Sequence, residues 1–397
     1  MSLPTDFARE ISDHAPQPGF DAVVDRARAG RRRRRTTIAS GLAAAVVVAA
    51  IGFAITDLPG GDPSPEPANP TRTSDVDHRI DADLPEGVRH VLGRDGVQAW
   101  DVSAVDGVVA AFWRACEKPF DPCRHAWTLR DGDEVTGGLI DAGSPVVTVV
   151  PYGWLIDEQR GPTLLLTPDG EVEEVGSVGD GGTALTPGDA SVLTFEGSRL
   201  LRDGALVAMP EPTDRPAVGS AYVTPGGRLV AATSDAPGGW GAQATDDGRA
   251  WEDSTAGPPE TINVRVAGSG DHVAVMFNGA GPDHSVGIEQ VIVSGDAGRT
   301  WTTAQGLDTK GADRSLNPYG MTVAPDGTTY LTTETDGLIR IDPDGAARAV
   351  LVSSQATSVF ADGDDICVVA EAGAIDEIQC SSDRGTTWAP QPLPGLS

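Results

Sequence analysis

Three stretches between short apolar runs carry the side chains best suited to ligand chemistry: Cys116–Cys123, Ser234–Gly241 and Asn278–Glu289. They supply Phe120, Trp240, Asp283 and His284, with Tyr152 and Tyr319 expected to adjoin them. An aromatic ring beside carboxylates suits a sugar or a peptide, since the ring covers an apolar face while the carboxylates accept hydrogen bonds. Covalent and metal chemistry have less support. After residue 57 the histidines His78, His90, His125, His272 and His284 are scattered, with no His-x-x-x-His pair for zinc. No Gly-x-Ser-x-Gly elbow, Walker-type phosphate loop or dinucleotide fingerprint occurs. Acidic turns such as Asp131-Gly-Asp-Glu134, Asp342-Pro-Asp-Gly345 and Asp362-Gly-Asp-Asp365 offer the oxygen ligands that Ca²⁺ prefers. None completes an EF-hand spacing, and Asp-Gly is ordinary turn chemistry, so they read as solvated turns. No cofactor is expected, and Ca²⁺ is the one ion worth considering.

These residues must be held by short strands. From about residue 97 onward, alternating apolar runs are separated by Gly- and Asp-rich turns, the pattern of an all-β repeat fold. One sub-pattern, strand then Asp-Gly or Gly-Gly turn then a Val/Ala/Thr-rich strand, recurs at Val102–Ala111, Ala221–Ala232, Val266–Val275, Met321–Leu331 and Val359–Val369. A second turn follows in each unit, and its glycines are Gly132, Gly170, Gly204, Gly248, Gly298, Gly345 and Gly385. Their intervals of 38, 34, 44, 50, 47 and 40 residues match a four-stranded propeller blade, for which about 40–50 residues is usual. The expected fold is therefore a seven-bladed β-propeller, with units near 97–143, 144–180, 181–212, 215–258, 260–307, 317–354 and 356–392. The third unit is the thinnest; without it the count is six.

Three of the second turns share one spacing, small-x-Asp-x-Gly-x-x-Trp: Ser294 to Trp301, Ser381 to Trp388 and, more weakly, Ala244 to Trp251. The Asp side chain can accept backbone N–H groups inside such a turn, and Gly supplies a conformation that other residues resist. The Trp then covers the turn. The motif resembles the Asp-box, or BNR repeat, of sialidases, sortilin-type receptors and bacterial surface propellers. That resemblance implies structural roles for Asp246, Gly248, Trp251, Asp296, Gly298, Trp301, Asp383, Gly385 and Trp388, at a rim remote from any ligand. It also brings a sialidase-type glycoside hydrolase into view, which needs an Arg cluster for the substrate carboxylate, a Tyr nucleophile activated by Glu, and an acid/base Asp. The ectodomain has four tyrosines, Tyr152, Tyr222, Tyr319 and Tyr330. The family's Arg-Ile-Pro segment is missing, its nearest echo being Arg340-Ile-Asp in the wrong blade. Arg265 is the one arginine expected to face the channel. No catalytic residue is assigned.

The chain has 397 residues, 58 acids against 29 Lys and Arg, and a formal charge of -29. That charge would repel a phosphate backbone over most of the surface and argues against nucleic acid as a partner. Its distribution is uneven: residues 1–35 hold eight Arg and five acids, a net of +3, which leaves -32 for the rest. The strong preference for Arg over Lys, with abundant Ala, Gly, Asp and Val, suggests a high-GC genome, plausibly actinobacterial. Thr36 to Thr56 contains no charged side chain and is long enough to cross a bilayer, which takes roughly 20 apolar residues. The five-Arg run Arg31–Arg35 precedes it, which places the N-terminus in the cytoplasm and the rest outside. A cleaved signal peptide fits less well, because both the charged leader and the apolar stretch are too long. The organisation expected is a basic cytoplasmic tail (1–35), a single transmembrane helix (36–56), a Pro-rich stalk (57–76) and an extracytoplasmic propeller (77–397). A short helix over Phe20 to Ala29 in the tail could dock a cytoplasmic partner. All four cysteines lie on the outer side and read as two disulfides. Of three pairings, Cys116–Cys123 with Cys367–Cys380 is favoured, since it places one bridge in each terminal blade, where ring closure needs support. Together these features point to a binding or scaffolding module for a protein, peptide or glycan. A sialidase-type hydrolase is the first alternative, and a transmembrane sensor signalling through the tail is the second.

Overall fold

The computed structural model describes residues 80–396, apart from 117–122, 142, 159–160, 178–183, 195–196, 213–216, 236–238, 260, 281–285, 308–319, 334–336, 352–355 and 373–374. The expected tail, membrane span and stalk fall outside these residues. Among the described residues no helix is long and apolar enough to cross a membrane.

The described part is all-β apart from one short helix, α1 (Glu86–Leu92). Seven antiparallel meanders follow in chain order. The first holds β1 (Gln98–Val105), β2 (Val108–Ala115), β3 (Arg124–Asp131) and β4 (Glu134–Ile140). The second holds β5 (Val146–Val150), β6 (Gly153–Asp157), β7 (Thr163–Leu166) and β8 (Val172–Ser177). The third has three strands, β9 (Ala190–Thr194), β10 (Gly197–Arg202) and β11 (Ala205–Ala208). The fourth comprises β12 (Ala217–Val223), β13 (Leu229–Asp235), β14 (Gly239–Thr245) and β15 (Glu252–Ala256). In the fifth are β16 (Thr261–Ser269), β17 (His272–Ala280), β18 (Val286–Ser294) and β19 (Thr302–Thr303). The sixth runs β20 (Met321–Val323), β21 (Thr329–Thr333), β22 (Gly337–Ile341) and β23 (Ala347–Leu351). The seventh runs β24 (Ala356–Asp362), β25 (Asp365–Ala372), β26 (Ile375–Ser381) and β27 (Ala389–Gln391). The first strands β1, β5, β9, β12, β16, β20 and β24 neighbour one another in that order, and β24 returns to β1. First strands in a closed ring, with meanders radiating outward, make a β-propeller. The thin third blade leans on the second: β11 pairs in parallel with β8 through Ala205↔Gly176 and Leu206↔Ser177.

Up-and-down strand order fixes two ends. Turns from first to second strand and from third to fourth lie at one end; second-to-third and blade-to-blade loops lie at the other. Apolar residues of adjacent blades interlock, as where Trp154, Ile156 and Leu166 of blade two meet Phe112, Trp127 and Leu129 of blade one.

The turn end is stitched by polar contacts. Ser294 Oγ donates to Asp296 Oδ1 at 2.8 Å and accepts the Gly298 N–H at 2.9 Å, while Asp296 Oδ1 accepts the N–H groups of Arg299 and Thr300 at 3.0 and 2.8 Å. Ser381, Asp383, Gly385, Thr386 and Thr387 repeat this arrangement. Between Asp and Gly, Ala297 (φ 60°) and Arg384 (φ 61°) adopt the left-handed conformation. Their carbonyls accept from the preceding blades, Ala297 from Arg228 Nε at 2.9 Å and Arg384 from Arg340 at 3.2 Å. Gly385 must be glycine: its φ is +88°, and a Cβ would sit 3.0 Å from Val350 of blade six. Trp388 donates to the Val350 carbonyl at 3.3 Å, and Trp301 and Trp251 pack against the cores they share with the preceding blades.

The first copy of the turn differs from the sequence reading. Asp247, not Asp246, accepts the N–H groups, from Arg249 and Ala250 at 2.7 and 2.8 Å, and Thr245 Oγ1 takes the serine's place toward Gly248. The left-handed residue between Asp and Gly is deleted here, so the carboxylate shifts one position along the chain. Asp246 instead pairs with the buried Arg228 at 2.7 Å and with Arg299 at 3.5 Å.

Among the described residues each blade is built from one continuous segment, and no exchanged strand closes the ring. Closure falls to the C-terminal residues. Arg130 donates to the carbonyls of Pro392, Leu393 and Leu396, and Thr128 Oγ1 donates to Pro394. Leu393 and Leu396 are buried with Leu84, Val88, Val91 and Leu92 in a cluster that joins blades one and seven. Disulfides Cys116–Cys123 and Cys367–Cys380 lie in those same two blades.

Candidate functional site

Helix α1 follows Pro85 and turns Val88, Val91 and Leu92 onto the blade-one core. That spacing puts Arg89 and His90 on the other side of the helix. The first residues of β3 and the last of β4 meet it at the loop end. Together they form a groove of about 1120 Å³, lined by Glu86, Gly87, Arg89, His90 and Val91 from α1, by Cys123, Arg124 and His125, and by Leu139, Ile140 and Asp141. Leu139 is 57 % exposed and lies against Gly87, where a Cβ would come within 2.9 Å of it. Gly138 leaves room in β4 for the Trp127 ring beneath, and Gly137 for the Trp127 carbonyl and Leu84. The two arginines come in Arg-His dipeptides, Arg89-His90 and Arg124-His125, brought together only by folding. Glu86 and Asp141 are the acids of the lining. Among the described residues neither Arg89 nor Arg124 has an ion-pair partner, whereas His90 Nε2 accepts from Arg94 at 3.1 Å.

The axial wall carries a second feature. Asp101 follows a bulge in β1, where Ala99 pairs with Trp113 and Asp101 with Phe112. It keeps partial access to solvent while protein encloses it on nearly every side, as expected of a carboxylate lining a narrow passage. Burial pushes its pKa up to about 7. The adjacent Trp100 packs on Phe112 with ring centroids 5.9 Å apart, and its buried Nε1 has no hydrogen-bond partner. Arg265, on the first strand of blade five, is part-buried opposite Met276.

The residues proposed from sequence do not gather at one place. Trp240 is at the loop end, at the start of β14, but it is half-buried against the core shared by blades four and five. Tyr152 lies at the opposite end: it occupies the β5–β6 turn and packs against the core shared by blades two and three. Burial and the nearby Asp203 and Asp189 push its hydroxyl up to about 12. Phe120, Asp283, His284 and Tyr319 lie outside the described residues. Among the described residues no group of three or more His, Cys, Asp or Glu could hold a metal ion. The groove escaped sequence reading because its two halves are 35 residues apart; the repeated Arg-His dipeptide in so acidic a chain was the available signal.

No family model matches the chain, and no curated protein matches it. Among solved structures it is similar to the β-propeller domain of the Trilobed protease from Pyrococcus furiosus, at 11% identity and a TM-score of 0.49, covering 75% of this chain and 95% of that one. A puromycin-hydrolyzing peptidase of Mycobacterium tuberculosis is similar at 15% identity and a TM-score of 0.46, over 75% of this chain and 53% of that one. Trypanosoma rangeli sialidase in complex with the inhibitor DANA is similar at 15% identity and a TM-score of 0.36, over 75% and 54%. The chain thus spans about half the length of the peptidase and of the sialidase. These likenesses carry no activity over to it, and the propeller rests on the chain's own strand order.

Proposed function

We propose that this chain is a recognition module: a propeller of the Asp-box type, held outside the cell by a single transmembrane helix, that binds a protein, peptide or glycan at its loop end. The observation that supports this most is the groove beside α1, an open concavity at the loop end with charged groups of both signs, Arg89 and Arg124 beside Glu86 and Asp141, over an aliphatic floor. Tyrosine placement weighs against the sialidase alternative. Tyr152, Tyr222 and Tyr330 all lie toward the turn end, and burial pushes each hydroxyl up to about 12. A tyrosine nucleophile needs the reverse, a hydroxyl made easy to deprotonate beside the substrate. Signalling through residues 1–35 is the remaining alternative, and nothing at the propeller favours it.

The test is a glycan, peptidoglycan and peptide array probed with the full-length protein, with hydrolysis products followed in the same wells. Saturable binding without turnover is the expected result. Release of product would overturn the reading.

A further inference from the structure

The groove beside α1 has a chemistry that narrows its ligand. Its walls carry Glu86 and Asp141 together with Arg89 and Arg124, and neither guanidinium has an ion-pair partner among the described residues, in a chain of formal charge -29. Elsewhere the arginines are largely engaged: Arg130 by backbone carbonyls, Arg202 by Asp189, Arg228 by Asp246 and Glu252, Arg340 by Asp342, and Arg384 by Asp326. Unpaired guanidiniums are well suited to carboxylates, which they hold through two parallel N–H···O bonds. The floor is aliphatic, with Leu139, Ile140 and Val91, and among the described residues no Phe, Tyr or Trp lines it. A sugar would want an aromatic platform; an aliphatic side chain wants what is present. The groove runs beside β4, the edge strand of its sheet, where an extended chain can find backbone partners. Its volume of about 1120 Å³ exceeds the 300–1,000 Å³ or so of a small-molecule pocket.

We propose that the groove binds an extended acidic segment of a partner protein, with Arg89 and Arg124 taking its carboxylates and Leu139 meeting an aliphatic side chain. This rests on the recognition-module reading and assigns the class of ligand.

The test measures binding of a fluorescent peptide alternating Glu with Val and Leu to the full-length protein. A peptide with Lys in place of Glu and an oligogalacturonate serve as comparators. Saturable binding of the acidic peptide alone is expected, weakening about tenfold or more in Arg89→Glu/Arg124→Glu and as salt is raised. Arg89→Lys/Arg124→Lys, which keeps the charge but not the fork, should weaken it less than the charge reversal does, and both variants should melt with the unaltered protein. A Leu139→Asp variant, which leaves both arginines in place, should weaken it as well. Failure of the acidic peptide to bind, equal binding of the Lys peptide, or indifference to both charge reversal and salt would overturn the proposal. Equal competition by the oligogalacturonate would overturn the choice of a peptide. Array binding that survives the double reversal but is lost in Trp240→Ala would sink the groove and leave the recognition module standing.

Discussion

Arg130 is the side chain on which ring closure most depends, and replacing it gives the sharpest test of how the propeller is held shut. Its guanidinium reaches three carbonyls of the C-terminal residues, those of Pro392, Leu393 and Leu396, with the latter two bonds at 2.8 and 3.0 Å. Burial lowers its pKa and the nearby Asp81 raises it. A hydrogen bond from a charged donor contributes about 1.5–3 kcal/mol when buried. The site is only part-buried, so about 1 kcal/mol for each contact is a fair lower figure, and Arg130→Ala should cost about 3 kcal/mol. For a domain of this size, with an unfolding entropy of about 2.1 cal/mol/K per residue, that is a fall in Tm of roughly 4–5 °C. Arg130→Lys keeps the charge but not the fork and should recover about a third of the loss. Deleting residues 392–397 also exposes the partners of Leu393 and Leu396, each worth about 2 kcal/mol of burial, and should cost more than Arg130→Ala. Calorimetry ranks the three variants. Hydrogen exchange reports the cause, because the Asp81 N–H donates to Gly395 at 3.0 Å and should lose protection in Arg130→Ala well before any blade amide does. If Arg130→Ala melts with the unaltered protein, or Asp81 stays protected, the C-terminal residues do not close the ring.

Three further outcomes follow from the same structure. Asp101, raised from 3.8 to about 7 by burial, holds a proton in the folded chain that the unfolded chain has released. Its contribution is therefore complete below about pH 4, falls as pH rises to about 7, and persists above that as a penalty. Asp101→Asn should stabilise the protein at pH 8 and not at pH 4, by less than the limit of about 4 kcal/mol that the full shift sets; equal effects at both pH values would contradict the enclosed carboxylate. Asp296 and Asp383 run the other way, held at about 2 by the turn N–H groups and hydroxyls, so what they contribute is present above about pH 4 and lost as pH falls through 2. Asn at both positions should flatten acid unfolding between those values, and an unchanged slope would remove the turn carboxylates from the account. The loops closed by the bridges span 13 residues for Cys367–Cys380 and 7 for Cys116–Cys123. Chain entropy then predicts losses of about 3 and 2 kcal/mol for the paired Ala variants, and melting scans with the order reversed would mean that packing, not closure, governs them.

What the sequence made legible was whatever local chemistry specifies. Asp-Gly and Gly-Gly turns at near-regular intervals gave the meanders, because a reversal needs left-handed backbone wherever it occurs and few residues accept it. The disulfide pairs followed from placing cysteines in the terminal blades. Helix α1 was not legible: seven residues after a proline give too little periodicity, and tertiary packing of Val88, Val91 and Leu92 fixes it. Asp246 was misassigned because two acids are adjacent and the alignment ran from Gly248 and Trp251. Counting from the hydroxyl would have chosen Asp247, two residues after Thr245 as Asp296 is two after Ser294. Tyr152 was placed at the loop end although it lies in a first-to-second-strand turn, where strand parity puts it at the other end.

The two ends of the propeller use charge differently, and that contrast argues for where recognition occurs. At the turn end charged side chains satisfy the chain itself. Asp296 and Asp383 hold backbone N–H groups, Arg228 and Arg340 hold carbonyls of the next blade, and Asp246, Glu252, Asp326 and Asp342 neutralise arginines. A ligand arriving there would have to displace intramolecular partners already in place, at a cost of about 1–3 kcal/mol for each one orphaned. At the loop end Arg89 and Arg124 meet solvent beside an exposed leucine, with Glu86 and Asp141 nearby but not paired to them, so a ligand need break no ion pair to reach them. Binding energy is available where side chains are not already engaged by the fold, and under the proposed recognition role that favours the α1 groove over the turn end.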